Sequence, residues 1–207
     1  MRSELWANVH AERAALVRDL TSQQQLDWAT PSLCAGWDIR DVVAHLAATA
    51  TLSLSKFAAE LVAVGFRPNL IVEKQIDVGR ERSGLQALDA LRSAIYTTAS
   101  PPQPTITRLI EIVVHGEDIR RPLQIAYTYD TTHIAAALSC LSRNHLFGAK
   151  TLVQGLRLSA TDADIAIGHG HRVRGPAVSL LLAASGRLAA IDDLSGPGSQ
   201  LLWERMN

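Results

Sequence analysis

Three residues within one short stretch, Glu111, His115 and Asp118, have the types and spacing for metal chemistry. They sit in Glu111-Ile-Val-Val-His115-Gly-Glu-Asp118, an apolar run whose i, i+4, i+7 spacing puts all three on one stripe of an α-helix. Zinc accepts histidine nitrogen and carboxylate oxygen, and three protein ligands leave a fourth position for water or substrate. Glu111 and His115 supply half of such a set. The best candidate for the third ligand is His45, in a second apolar stretch that follows Cys34-Ala-Gly-Trp-Asp38. Asp118 is placed to accept a hydrogen bond from a ligand histidine and so fix its tautomer. The same residues also have plainer readings. Glu111 and His115 suit an ordinary solvated helix pair, and Asp118 an ion pair with Arg121.

Other groups invite the same weighing. Cys34 precedes a helix start and is a candidate nucleophile, but its apolar and tryptophan neighbours favour a buried side chain. His169-Gly-His171 is a possible metal pair, although a glycine-rich turn favours exposure. Arg172, Arg174 and Arg187 are candidate anchors for an anionic substrate, with simple surface positions as the alternative. Gly168-x-Gly170 lacks the spacing and strand-to-helix context of a dinucleotide fingerprint, and there is no P-loop or serine-hydrolase elbow.

Periodicity identifies the elements that must position these residues. Residues 3–20 read as a first helix. The segment from Trp28 to Trp37, with a proline, a glycine and two tryptophans, reads as a packed loop. Asp38 is a predicted N-cap with Asp41 at N3. The helix that follows places Ile39, Val43, Leu46, Leu54, Phe57 and Leu61 on its core side and His45 at the edge of that face. Residues 70–79 and 85–96 form a third helical region, and Pro104 or Thr105 opens the helix of Glu111 and His115. On that helix Ile106, Leu109, Ile110 and Val113 make the core stripe, whereas Glu111, His115 and Asp118 point largely elsewhere. Residues 131–150 form one more helix. Beyond it the pattern shortens to strands at 156–160 and 165–167, and a helix over 176–185 begins at a proline and ends at Gly186. A last helix covers 201–205. The expected fold is α+β: a four-helix bundle over residues 1–150 followed by a small α/β C-terminal domain over residues 151–207.

Composition limits the function classes. With 20 basic against 20 acidic residues in 207, nothing marks the chain as a binder of nucleic acid or of an anionic membrane. Two cysteines, Cys34 and Cys140, form neither a disulfide framework nor a C-x-x-C motif, so a reducing cytoplasm is expected. No stretch approaches a membrane span, and the N-terminus lacks an apolar signal region.

Three stretches taken together carry a family resemblance. They are Trp28-Ala-Thr-Pro-Ser-Leu-Cys34-Ala-Gly-Trp37-Asp-Ile-Arg-Asp-Val-Val-Ala-His45-Leu, Glu111-Ile-Val-Val-His115-Gly-Glu-Asp118, and Arg172-Val-Arg-Gly175-Pro-Ala with Ser185-Gly-Arg187. In order and spacing they resemble the mycothiol-dependent maleylpyruvate isomerase family, over nearly the whole chain. The resemblance implies a DinB-like metal-binding bundle and a divalent metal, usually zinc, on His45, Glu111 and His115. It further implies that these flanks converge in a cleft covered by the C-terminal domain, and that mycothiol is the thiol cofactor. Activity is then expected to be isomerase or transferase chemistry on a small electrophilic substrate, with Arg174 as the anchor of a substrate carboxylate. Residues 66–104 match no motif, so the substrate itself stays open. Two alternatives keep the same fold: a DinB-like stress or regulatory module without turnover, and a metal-dependent hydrolase using zinc-bound water.

Overall fold

The computed structural model describes residues 2–143 and 148–207 of the chain, as two compact units, 1–126 and 127–207. The sequence places a domain boundary at 150/151. The helix expected at its end packs instead with the later elements, so the division falls before that helix.

In the first unit, α1 (Arg2–Ser22), α2 (Ile39–Ala50), α3 (Leu54–Ala63), α4 (Pro68–Arg80), α5 (Gly84–Ser93) and α6 (Ile106–Arg120) follow one another. The bundle is made by α1, α2, α5 and α6: α2 packs on α5 and α6, and α1 packs on the same two helices. Leu16 and Val9 of α1, Ile39 and Val43 of α2, Leu91 of α5, and Leu109 and Val113 of α6 form its core. Their burial is the main driving force for the unit. Two polar contacts fix the register of neighbouring helices. Asp19 of α1 accepts from Nε of the buried Arg120 of α6 at 2.8 Å. Arg13 of α1 donates through Nη1 to the carbonyls of Ala94, Ile95 and Thr97 after α5, at 3.3, 3.4 and 2.9 Å.

Where the sequence reads one helix through 38–61, the chain breaks into α2 and α3, which meet at 116°. Thr51 Oγ1 bonds back to the carbonyls of Ala47 and Ala48, and Ser53 caps the next helix by accepting from the Lys56 amide at 3.2 Å. Such hydroxyls offer the backbone an alternative to continuous helix. Leu54 and the other apolar residues of α3 consequently stay out of the core, and no residue of α3 is buried.

The second unit contains α7 (Thr131–Arg143), α8 (Ala149–Val153), β1 (Leu156–Ala160), β2 (Ala166–Gly168), β3 (His171–Gly175), α9 (Ala177–Ala184), a 3₁₀ turn (Leu188–Asp193) and α10 (Ser199–Met206). The single helix expected over 131–150 lies partly outside the described residues. The sheet has the order β2-β1-β3, with β1 antiparallel to β2 and parallel to β3. Leu156, Leu158 and Val173 point inward from β1 and β3, and α9, which also packs on α7, covers them. Bundle and sheet together make an α+β fold. No single helix among the described residues is long and apolar enough to cross a membrane.

Candidate metal centre

Local sequence explains how the first unit aims its polar side chains. Asp38 accepts from the Asp41 amide at 2.8 Å, and Asp41 reaches back to the Asp38 amide, a capping box that starts α2 two turns before His45. Arg80 of α4 holds Asp41 from outside, Nη2 to Oδ2 at 3.0 Å, and this carboxylate raises the Arg80 pKa. The preceding loop is a hydrogen-bonded turn in which the Trp37 amide donates to the Cys34 carbonyl at 3.0 Å. Gly36, at φ 77°, supplies the left-handed position that the turn needs. Leu33 N–H donates to the Asp118 carbonyl at 3.2 Å, docking the loop on α6.

These elements bring His45 of α2 to the stripe of α6. His45 is 7% exposed, and its Nε2 lies 3.9 Å from Glu111 Oε1. The His45 and His115 rings stand edge to face with centroids 5.0 Å apart. Trp37 touches both, at 5.2 Å from His45 and 6.3 Å from His115, where it stacks. The packed loop thus contributes an aromatic wall to the centre.

His115 Nδ1 and Asp118 Oδ2 are 2.8 Å apart, and Asp118 is wholly buried. Arg121, the alternative partner considered for Asp118, pairs instead with Glu117 at 2.9 Å. Cys34 Sγ donates to the same Asp118 oxygen at 3.1 Å and lies 3.8 Å from His115 Nδ1. The network assigns the His115 proton to Nδ1, because a carboxylate only accepts, and this leaves the Nε2 lone pair for a ligand.

Glu111 is held from its other side. Arg108, one turn earlier on α6 and 5% exposed, places Nη1 3.1 Å from Glu111 Oε2. Arg13 lies deeper: burial pushes its guanidinium down to about 10, an effect opposed by the Glu111 charge and reinforced by Arg108. That value still leaves Arg13 charged at neutral pH.

Whether these side chains suit a metal ion can be judged from spacing. Two ligands at about 2.0–2.1 Å from a tetrahedral ion stand roughly 3.3 Å apart. The 3.9 Å between His45 Nε2 and Glu111 Oε1 exceeds hydrogen-bond reach and needs only a small inward movement. This one pair is therefore close to the spacing of two ligands of a divalent ion, whereas His45, Glu111 and His115 together are not among the groups whose ligand atoms come within 4.8 Å of one another in the described residues. A second grouping, Cys34 Sγ, His115 Nδ1 and Asp118 Oδ2, has its atoms within 4.8 Å of one another and is also compatible with an ion. Its two short separations, 2.8 and 3.1 Å, are hydrogen-bond distances spanned by protons that an ion would have to displace.

The placement of Cys34 was not legible beforehand: half-buried, with its thiol on the carboxylate behind His115. The remaining candidates lie in the second unit. His169 and His171 are exposed around the β2–β3 turn, as the glycine pattern suggested, and join no metal-competent cluster among the described residues. Arg172 and Arg174 are exposed on β3, while Arg187 donates to the Ser185 carbonyl at 2.9 Å.

Fold and centre define an α+β protein whose helix bundle presents histidines and carboxylates from two helices. Residues 6–100 match the family model of the mycothiol maleylpyruvate isomerase N-terminal domain. The chain thus resembles the mycothiol-dependent maleylpyruvate isomerase family, as its motifs implied, and the matched part, residues 6–100, is similar to that family's N-terminal domain. Two solved structures are similar over almost the whole chain. One is a crystal structure of the mycothiol-dependent maleylpyruvate isomerase, with 11% identity, a TM-score of 0.62, and coverage of 96% of this chain and 94% of that one. The other is a histidine-to-alanine mutant of the mycothiol-dependent maleylpyruvate isomerase, with 12% identity, a TM-score of 0.65 and the same coverage. At such identities the likeness establishes the fold. No curated protein matches the chain. The family match ends before α6, so it includes His45 but not Glu111 or His115.

Proposed function

We propose that this chain is a metal- and thiol-dependent enzyme, an isomerase or transferase that uses mycothiol on a small electrophilic substrate in the cytoplasm. The observation that supports it most is the convergence of His45 Nε2 and Glu111 Oε1 beside His115, whose Nδ1 is committed to Asp118. In this reading His45, Glu111 and His115 hold a divalent metal, zinc by the resemblance. Such an ion lowers the pKa of a bound thiol or water and polarises a carbonyl.

The chain's own residues do the rest. Asp118 keeps the His115 proton on Nδ1 and the ring in one orientation. Trp37 shields the two imidazoles from water on one side, which strengthens charge interactions there. Arg174 is the proposed anchor for a substrate carboxylate, its exposed guanidinium being suited to a bidentate contact. A thiolate adding to the substrate gives isomerisation if it departs again and a stable adduct if it stays.

Metal analysis of the purified protein, followed by titration with zinc, tests the ligand set. Stoichiometric metal is expected, with sharp loss in His45→Ala and in His115→Ala. If both variants keep full metal, the assignment fails, and unchanged binding in His45→Ala with loss in Cys34→Ala would move the ion to the Cys34 grouping. Incubation of the metallated protein with mycothiol and a panel of electrophiles, followed by mass spectrometry, tests turnover. Isomerised substrate or thiol adduct is expected. Its absence across the panel would favour a binding module, and product formation without thiol would favour hydrolysis.

A further inference from the structure

The Glu111 carboxylate is shared between two demands. One oxygen, Oε1, faces His45 at 3.9 Å, and the other, Oε2, is engaged by Arg108 Nη1 at 3.1 Å. The contact is built in rather than incidental. Arg108 and Glu111 lie three residues apart on α6, where side chains meet along the helix face. The two side chains are 6% and 12% exposed, so water does little to screen the pair. Arg108 Nε, also buried, has no hydrogen-bond partner among the described residues, so the guanidinium forgoes one bond while keeping its hold on Glu111. Arg13, whose Nη1 donates to the carbonyls after α5, feels the Glu111 charge without a hydrogen bond to it among the described residues, so Arg108 is the arginine in direct contact.

A free carboxylate can ligate a cation through one oxygen or through both. We infer that Arg108 is a positioning residue that restricts Glu111 to ligation through Oε1 alone. The inference rests on the metal reading above and adds a consequence to it. With Oε2 tied to a cation, Glu111 cannot close around the ion as a two-oxygen ligand, and its donor strength is reduced. The fourth coordination position is then kept for the thiol, and the bound ion stays more electrophilic. Asp118 does for His115 what Arg108 does for Glu111, so each α6 ligand has its own orienting partner from the same stripe of the helix.

Cobalt(II) substitution tests this directly, because its visible bands are intense in four-coordinate sites and weaker in five-coordinate ones. The chain, Arg108→Gln, Arg108→Met and Arg108→Lys are each loaded with cobalt, and mycothiol is titrated while the thiolate-to-cobalt band is followed. Arg108→Gln and Arg108→Met are expected to bind cobalt but to show weakened visible bands, with mycothiol affinity lower by about tenfold or more. Arg108→Lys, which retains the charge and a donor, is expected to recover part of both signals. Either neutral variant suffices if the other fails to fold. A folded neutral variant with the parent's cobalt spectrum and mycothiol affinity overturns the inference, since a merely structural arginine would change stability but not coordination. The metal reading fails differently: Glu111→Ala and His45→Ala would then bind cobalt as the parent does, and the role of Arg108 falls with it.

Discussion

His115 and Asp118 are joined by a 2.8 Å contact between Nδ1 and Oδ2, made by a carboxylate with no exposure to solvent. A buried carboxylate retains its charge only with strong partners, and the imidazole N–H and the Cys34 thiol are both directed at the same oxygen. The contact decides which ring nitrogen of His115 is available.

Asp118→Asn is therefore expected to weaken metal binding by about 10–100-fold with little change in fold, since an amide can present its NH2 to Nδ1 and favour the wrong tautomer. Competition against a chromophoric chelator measures it. Unchanged affinity would mean that Asp118 serves packing only.

Cys34 offers a test of nucleophilic chemistry. Its thiol donates to the Asp118 carboxylate rather than standing free. Cys34→Ser keeps a donor at that position and is expected to retain turnover, whereas a nucleophilic cysteine would lose nearly all of it. Initial rates with mycothiol in excess distinguish these outcomes.

The role proposed for Arg174 predicts a defined kinetic signature. If it binds a substrate carboxylate equally in ground and transition states, Arg174→Ala should raise KM roughly tenfold or more at nearly constant kcat, reflecting about 1.5–3 kcal/mol for a charged hydrogen bond. An unchanged KM for a carboxylate-bearing substrate would remove Arg174 from the site.

Stability of the bundle should depend on Gly84. A Cβ at this first residue of α5 would collide with the Trp28 indole, a rigid ring at the start of the stretch that leads to Cys34 and Trp37. Gly84→Ala is expected to destabilise by about 1–3 kcal/mol despite alanine's better helix propensity. Urea unfolding followed by tryptophan fluorescence reports it, and a more stable variant would show that the loop can yield.

Local order was largely legible in the residues themselves. The Asp38–Asp41 start of α2, the proline that precedes α9 and the strand over 156–160 follow from short-range chemistry: a side chain bonding an amide three residues on, a ring that presets φ, a period of two. The break between α2 and α3 was not legible, because apolar periodicity continues through residues 51–53 while two hydroxyls redirect the backbone. That α7 packs with α8 and α9 was not legible for a related reason: which neighbours a helix packs on is not written in its own pattern.

The sequence by itself determined the stripe of Glu111, His115 and Asp118, since helical spacing alone aligns them. It also determined the stretch that presents His45. Only the tertiary structure decided that His45 meets Glu111, that Trp37 lies against both imidazoles, that Cys34 shares the Asp118 oxygen, and that Arg108 takes the second oxygen of Glu111. These contacts join residues from two helices and a loop, or choose between rotamers on one helix. Both depend on packing of the bundle core, which brings distant segments together and leaves each polar side chain one set of partners.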